Sequence, residues 1–273
     1  MSLISRRAID GLVASGAIAP VPGSLVMGAG PGDAKAAAAV KADAGSFDAV
    51  KVLAAPTRVL EVTELKRGAA PFMRRVYLRG ERACAAGTVA DGVRVEATMS
   101  VTDLCKQLAA KLAGPDGAAT ALLPSEVALV AHLWPEQKRS LANALSVEAC
   151  VEGLTRAGIA AEAAREAIAA LQQTKLLRPS ARGLAVPRAQ ASVLESFWSG
   201  ELLELKAGAF DGSQSTTLLF VGPEKQRYLV ERLQTAVWQR TGGSDEEPMV
   251  FQGLTRAAVQ RVVAAALGLV ARK

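Results

Sequence analysis

"TRVLEVTELKRGAAPFMRRVYLRGERACAAGTVADGVRVEATMSVTDLCKQLAAKL", residues 57–112, changes periodicity once along its length, and that change decides the fold class. "RVLEVTEL" and "RRVYLRG" are rich in β-branched residues, which predicts strands. "VRVEATM" alternates, placing Val93, Val95, Ala97 and Met99 on one face of a strand. Asp91-Gly92 before it is a hairpin-turn dipeptide. The period then lengthens. Leu104, Leu108 and Leu112 recur every four residues, behind Ser100 as a cap and Asp103 in the first turn, so a helix follows the strands. Gly114-Pro115 stops it.

The same order returns near the C-terminus. "ELLELKAGAF", "STTLLFVG" and "PMVFQG" read as strands. "LTRAAVQRVVAAALGLV" is the most regular helix of the chain, with Leu254, Ala258, Val259, Val262, Val263, Ala266, Leu267 and Val270 on one face. "PEKQRYLVERLQTAVWQRTGG" has Pro at its start and Gly at its end, with Leu229, Leu233 and Val237 in step. It predicts a helix over 223–240, with a long bent strand as the alternative. The repetition is one of pattern rather than residue identity.

Outward from these two segments the chain is helical. "MSLISRRAIDGLVASGAIAP" predicts an amphipathic first helix with Ala8, Ile9, Leu12 and Val13 inward; Asp10 interrupts what would otherwise pass for a leader peptide. "PVPGSLVMGAGPGDAKAAAAVKADAG" marks a loop or hinge, and "SFDAVKVLAAP" a short helix ended by Pro56. In the middle, "LPSEVALVAHLWP", "SVEACVEGLTRAG" and "AAEAAREAIAALQQTKLL" predict three helices, followed by "GLAV" as a strand. The predicted fold is α+β: two pseudo-repeated strand-then-helix halves share a sheet, with a central helical, winged-helix-like block. The corresponding divisions are 1–56 (N-terminal helices and a Gly/Pro-rich linker), 57–121 (first half), 122–190 (helical block) and 191–273 (second half).

Composition narrows the function. The chain has 273 residues, of which 50% are hydrophobic and only 4% aromatic, so it can bury a core but has few rings for stacking bases or sugars. Its net charge of +6 comes from Lys and Arg scattered along the sequence, with no run of five, which reads as a solvated surface. Cys84, Cys105 and Cys150 are widely spaced with no C-x-x-C, and read as small core residues in a reducing compartment. His132 is the single histidine, so no imidazole-rich metal site forms, and its apolar neighbours point to a structural role. No apolar run approaches the roughly 18 residues of a membrane span, and the expected location is cytoplasmic. No catalytic residue, metal site or cofactor is assigned, and the expectation is a protein that is not an enzyme.

Three stretches invite a sharper reading. "LVMGAGPGDAK" could bring Gly28, Gly30 and Gly32 to a phosphate, and its G-x-G-P-G-D string resembles one lying near the cofactor in tetrapyrrole methyltransferases. No βαβ unit follows with an acidic residue about twenty positions on, so a flexible Gly-Pro turn is the reading kept. In "EAIAALQQTKLLRPSARGLAV", residues 166–186, a helix leads through Pro and Gly into a strand, as a recognition helix leads into a wing. Lys175, Arg178, Arg182 and Arg188 could then touch a nucleic-acid backbone, although Glu162 and Glu166 would meet its phosphates unfavourably. Packing or protein contact is the preferred use of this block. Trp198, Trp238 and the acidic trio Asp245, Glu246 and Glu247 are candidates for a protein interface.

The order of elements, in the 57–112 stretch and in "STTLLFVGPEKQRYLV" with the final helix, resembles the EspG family of type VII secretion chaperones. That resemblance implies two related α+β halves, a central sheet and flanking helical bundles. It further implies a cytosolic, non-enzymatic protein that binds a helical protein partner. The expected function is therefore protein binding of a scaffold or chaperone-like kind, with a winged-helix nucleic-acid-binding protein as the alternative. The sequence leaves the homo-oligomeric state open.

Overall fold

The computed structural model describes residues 1–28, 30–116, 119–123, 126–127, 129–130, 133, 145–180, 183–186, 201–232 and 249–269. Over these, the chain is an α+β fold organised around one large antiparallel sheet. The N-terminal part gives β1 (Ser2–Ser5), α1 (Arg6–Ala14), α2 (Ala34–Ala42) and α3 (Ala44–Ala54). Then come β2 (Arg58–Leu65), β3 (Phe72–Arg79), β4 (Arg82–Val89), β5 (Gly92–Val95), β6 (Met99–Ser100), α4 (Val101–Leu112) and β7 (Thr120–Leu122). The middle holds α5 (Val147–Arg156), α6 (Ala161–Gln173), β8 (Arg178–Ser180) and β9 (Gly183–Ala185). The last stretch is β10 (Leu202–Ala209), β11 (Ser215–Val221), β12 (Tyr228–Arg232), β13 (Met249–Gly253) and α7 (Arg256–Ala266).

The sheet has eleven strands in the order β1-β5-β4-β3-β2-β10-β11-β12-β13-β7, with β6 also pairing β4. At its centre the first strand group meets the last: β2 pairs β10 along its whole length, from Arg58 opposite Ala209 to Leu65 opposite Leu202. Side chains alternate across the sheet, so this register fixes which residues share a face. Leu60, Val62, Val76, Leu78, Leu203, Leu205 and Phe220 face α4 and α7, whose Leu104, Leu108, Val259 and Val263 complete one core. Each such aliphatic side chain contributes about 1.5–3 kcal/mol by leaving water.

The other face carries two separate covers. Helices α1–α3 pack on Tyr77, Cys84, Val93 and Val95 at the β1 end. At the β7 end, Cys150, Leu154, Ile168, Leu171 and Leu184 from α5, α6 and β9 pack on Leu122, Tyr228 and Phe251.

Several expectations change. The segment from 223 begins with a turn, not a helix. Gln226 N–H donates to the Pro223 carbonyl at 3.0 Å, Lys225 sits at φ 69°, and 228–232 is strand. Tertiary pairing decides it: β12 lies between β11 and β13, sending Leu229 to the α4/α7 core and Tyr228 to the opposite one. The "VRVEATM" strand is also broken. Its register against β4 slips by one residue between Ala86–Val95 and Ala83–Met99, as a bulge does. Val93 and Val95 therefore enter the α1–α3 core while Met99 packs into the opposite one. The first four residues after Met1 pair with β5 before α1 begins at Arg6. Finally, the Gly/Pro-rich linker contains a whole helix, α2, capped by Asp33.

Candidate functional site

The open middle of the second face is where the fold leaves surface to use. Between the two covers, strands β3, β2, β10 and β11 form a floor that no described element covers. Their register places Met73, Arg75, Glu61, Thr63, Glu204, Lys206 and Thr217 side by side. Lys206 and Thr217 are exposed, and Met73 is 61% exposed. Arg75 Nε donates to Glu61 Oε1 at 2.6 Å, an exposed cross-strand pair of the kind that contributes under about 1 kcal/mol.

This floor runs out at one end into the β2–β3 hairpin. Every residue from Leu65 to Met73 is exposed, including Leu65, Phe72 at 56% and Met73. Gly68 at φ 75° and a bond from Ala69 N–H to the Lys66 carbonyl at 3.0 Å shape its turn. Leu65 and Met73 share the face of the floor, whereas Phe72, opposite Glu64, lies on the other; Lys66 and Arg67 stand at the turn, so this end of the floor is apolar beside basic residues. None of these residues stood out in the sequence. The one available signal was Phe72-Met73, two large apolar residues directly after a turn.

At the root of the hairpin lies an ionic cluster. Glu64 accepts from Lys111 Nζ at 2.8 Å and from Arg227 Nη2 at 3.0 Å, joining β2, α4 and the start of β12. Desolvation, the largest single influence on Glu64, raises its pKa. The hydrogen bonds from Lys111 and Arg227, with the charges of Lys111 and Lys66, outweigh it and hold the carboxyl at about 2.

The Gly-rich stretch has a packing role. A side-chain carbon on Gly32 would come within 2.4 Å of the Gly11 backbone, and one on Gly11 within 2.7 Å of the Asp33 carbonyl. The loop therefore lies directly on α1 and is not a free turn. The N-terminus of α2 is already occupied, since Asp33 accepts from the N–H groups of Lys35 and Ala36 at 2.9 and 3.0 Å. A phosphate there would meet a carboxylate.

The cysteine thiols are buried and unbridged. Burial pushes Cys84 and Cys150 up to about 11, so neither is a thiolate near neutral pH. Among the described residues no group of three His, Cys, Asp or Glu could hold a metal, and no helix is long and apolar enough to cross a membrane. His132 lies outside the described residues.

In the central block, α5 and α6 are followed by the β8–β9 hairpin, and Leu145 forms a bridge to Leu184. Lys175, at φ 60°, and Arg178 are exposed just after α6. The exposed charges on α5 and α6 are Glu148, Glu152, Glu162 and Glu166 against Arg156 and Arg165, an acidic balance. Arg182 and Arg188 lie outside the described residues, as do Trp198, Trp238, Asp245, Glu246 and Glu247.

No family model matches this sequence, and no curated protein matches it. Among solved structures, the Mycobacterium tuberculosis type VII secretion system chaperone EspG5, determined in complex with a PE25-PPE41 dimer, aligns over 95% of this chain and 94% of its own. The identity is 14% and the TM-score 0.40, a likeness of overall architecture only.

Proposed function

We propose that this chain is a non-enzymatic protein-binding protein of scaffold or chaperone-like type, working in the cytoplasm. It receives a helical segment of a partner polypeptide on the saddle between its two helical covers. The observation that carries this reading is the pair of exposed apolar residues Leu65 and Met73, which register places on the same face as the floor of β2, β3, β10 and β11. Exposed Leu65 and Met73 beside Lys66 and Arg67 suit one end of an amphipathic helix whose apolar face is flanked by acidic residues. In this reading the strand-then-helix halves, 57–121 and 191–273, are pseudo-repeats that meet at β2 and β10. The 1–56 segment and the winged-helix-like 122–190 block serve as the walls of the saddle.

The test is affinity capture from the native host after nuclease treatment, comparing the wild type with Met73→Asp and Leu65→Asp. The expected result is one stoichiometric polypeptide that survives nuclease and is lost from both variants. Capture that is indifferent to both substitutions would move the interface elsewhere.

The winged-helix nucleic-acid reading draws on one observation, the order α5, α6, β8, β9. The acidic balance of α5 and α6 weighs against it. Fluorescence anisotropy with duplex DNA at low salt tests it: binding that falls steeply with salt and with Lys175→Glu and Arg178→Glu would favour it over the docking reading.

A further inference from the structure

Arg227 is only 2% exposed, although arginine is rarely so buried without full pairing. Its Nη2 donates to Glu64, but its Nε and Nη1 are buried and meet no acceptor among the described residues. The backbone that carries the guanidinium is closely packed. A side-chain carbon on Gly114 would lie 1.9 Å from the Arg227 carbonyl oxygen, so these two backbones are in direct contact. Lys111 Nζ and Lys66 Nζ stand 2.8 and 3.5 Å from the same Glu64 carboxylate. Three cations thus converge on one anion and leave two positive charges in excess. The lysine side chains, 51% and 39% exposed, carry the cluster from buried Arg227 out to solvent.

We propose that this cluster is a binding site for a small oxyanion, held between Arg227 and the two lysines. A buried guanidinium with unmade hydrogen bonds, in a locally positive field, is matched by a ligand carrying charge and several acceptor oxygens. Chloride supplies charge but no oxygen acceptors. The site is independent of the docking reading: the anion would bind whether or not a partner polypeptide does.

The test is thermal unfolding of the full chain in sulfate and in acetate, each against chloride at matched ionic strength. The expected result is a saturable rise of about 3–6 °C at tenfold above the dissociation constant for at least one oxyanion. The rise should shrink in Lys66→Gln, an exposed substitution that leaves folding intact, and vanish in Arg227→Met if that variant folds. Equal behaviour in chloride, or a rise that Lys66→Gln leaves unchanged, would overturn the proposal.

Discussion

Among the described residues, one face of the sheet is covered by two helices lying side by side, and the other is covered at its two ends. On the sealed face, α4 and α7 bring Ala109, Ala258 and Ala266 among larger residues, so the helices lie close against the strands and each other. On the open face, each cover has its own core, and the strands between them show charged and polar side chains to solvent. The same four central strands build both surfaces, one residue out of step. Burial on one side of these strands suffices to hold them, leaving the other side free to carry charged and polar residues.

Substitutions that break this contrast should rank by burial. Removing one partner of the Glu64–Arg227 pair, as in Glu64→Ala, leaves a buried guanidinium uncompensated. It should cost about 3–5 kcal/mol in urea unfolding, the largest single effect expected. On the sealed face, Leu205→Ala should cost about 2–5 kcal/mol by the same measurement, since Leu205 is only 1% exposed. Gly32→Ala, which forces loop backbone away from α1, should cost about 1–3 kcal/mol. On the open face, Lys206→Ala and Thr217→Ala should stay within about 0.5 kcal/mol of the wild type while weakening partner capture.

Acid sharpens the comparison further. Glu64 titrates at about 2 in the folded chain against an ordinary 4.5. Its contribution to stability is therefore complete above the ordinary value and is lost as pH falls from there towards 2. Stability measured across that window should fall less in Glu64→Gln than in the wild type.

Much of this was legible in the sequence, for definite reasons. Ser100 caps the helix it was read to cap, because a hydroxyl before an apolar repeat has one evident use. The stripe of Val259, Val263 and Leu267 is buried as its spacing predicted. The failures came where tertiary pairing overrode local pattern. Leu229 looked like the start of a helical stripe, yet β11 and β13 flank it and make it strand. A one-residue bulge turned Met99 to the face opposite Val95, which no alternation rule anticipates. The proposed docking face was illegible because strand pairing between distant segments, not local pattern, brings its residues together. Glu64 and Arg227, 163 positions apart, pair only through the contact of the two strand groups.

The proposed docking requires that the open face, and not the sealed one, meets the partner. A photo-crosslinking amino acid placed singly at Thr217, at Met73 and at Arg261 on the exposed side of α7 tests this most directly in the native host. Thr217 and Met73 should trap the same polypeptide, and exposed Arg261 should trap none. Trapping of that polypeptide from Arg261 alone would contradict the proposed docking.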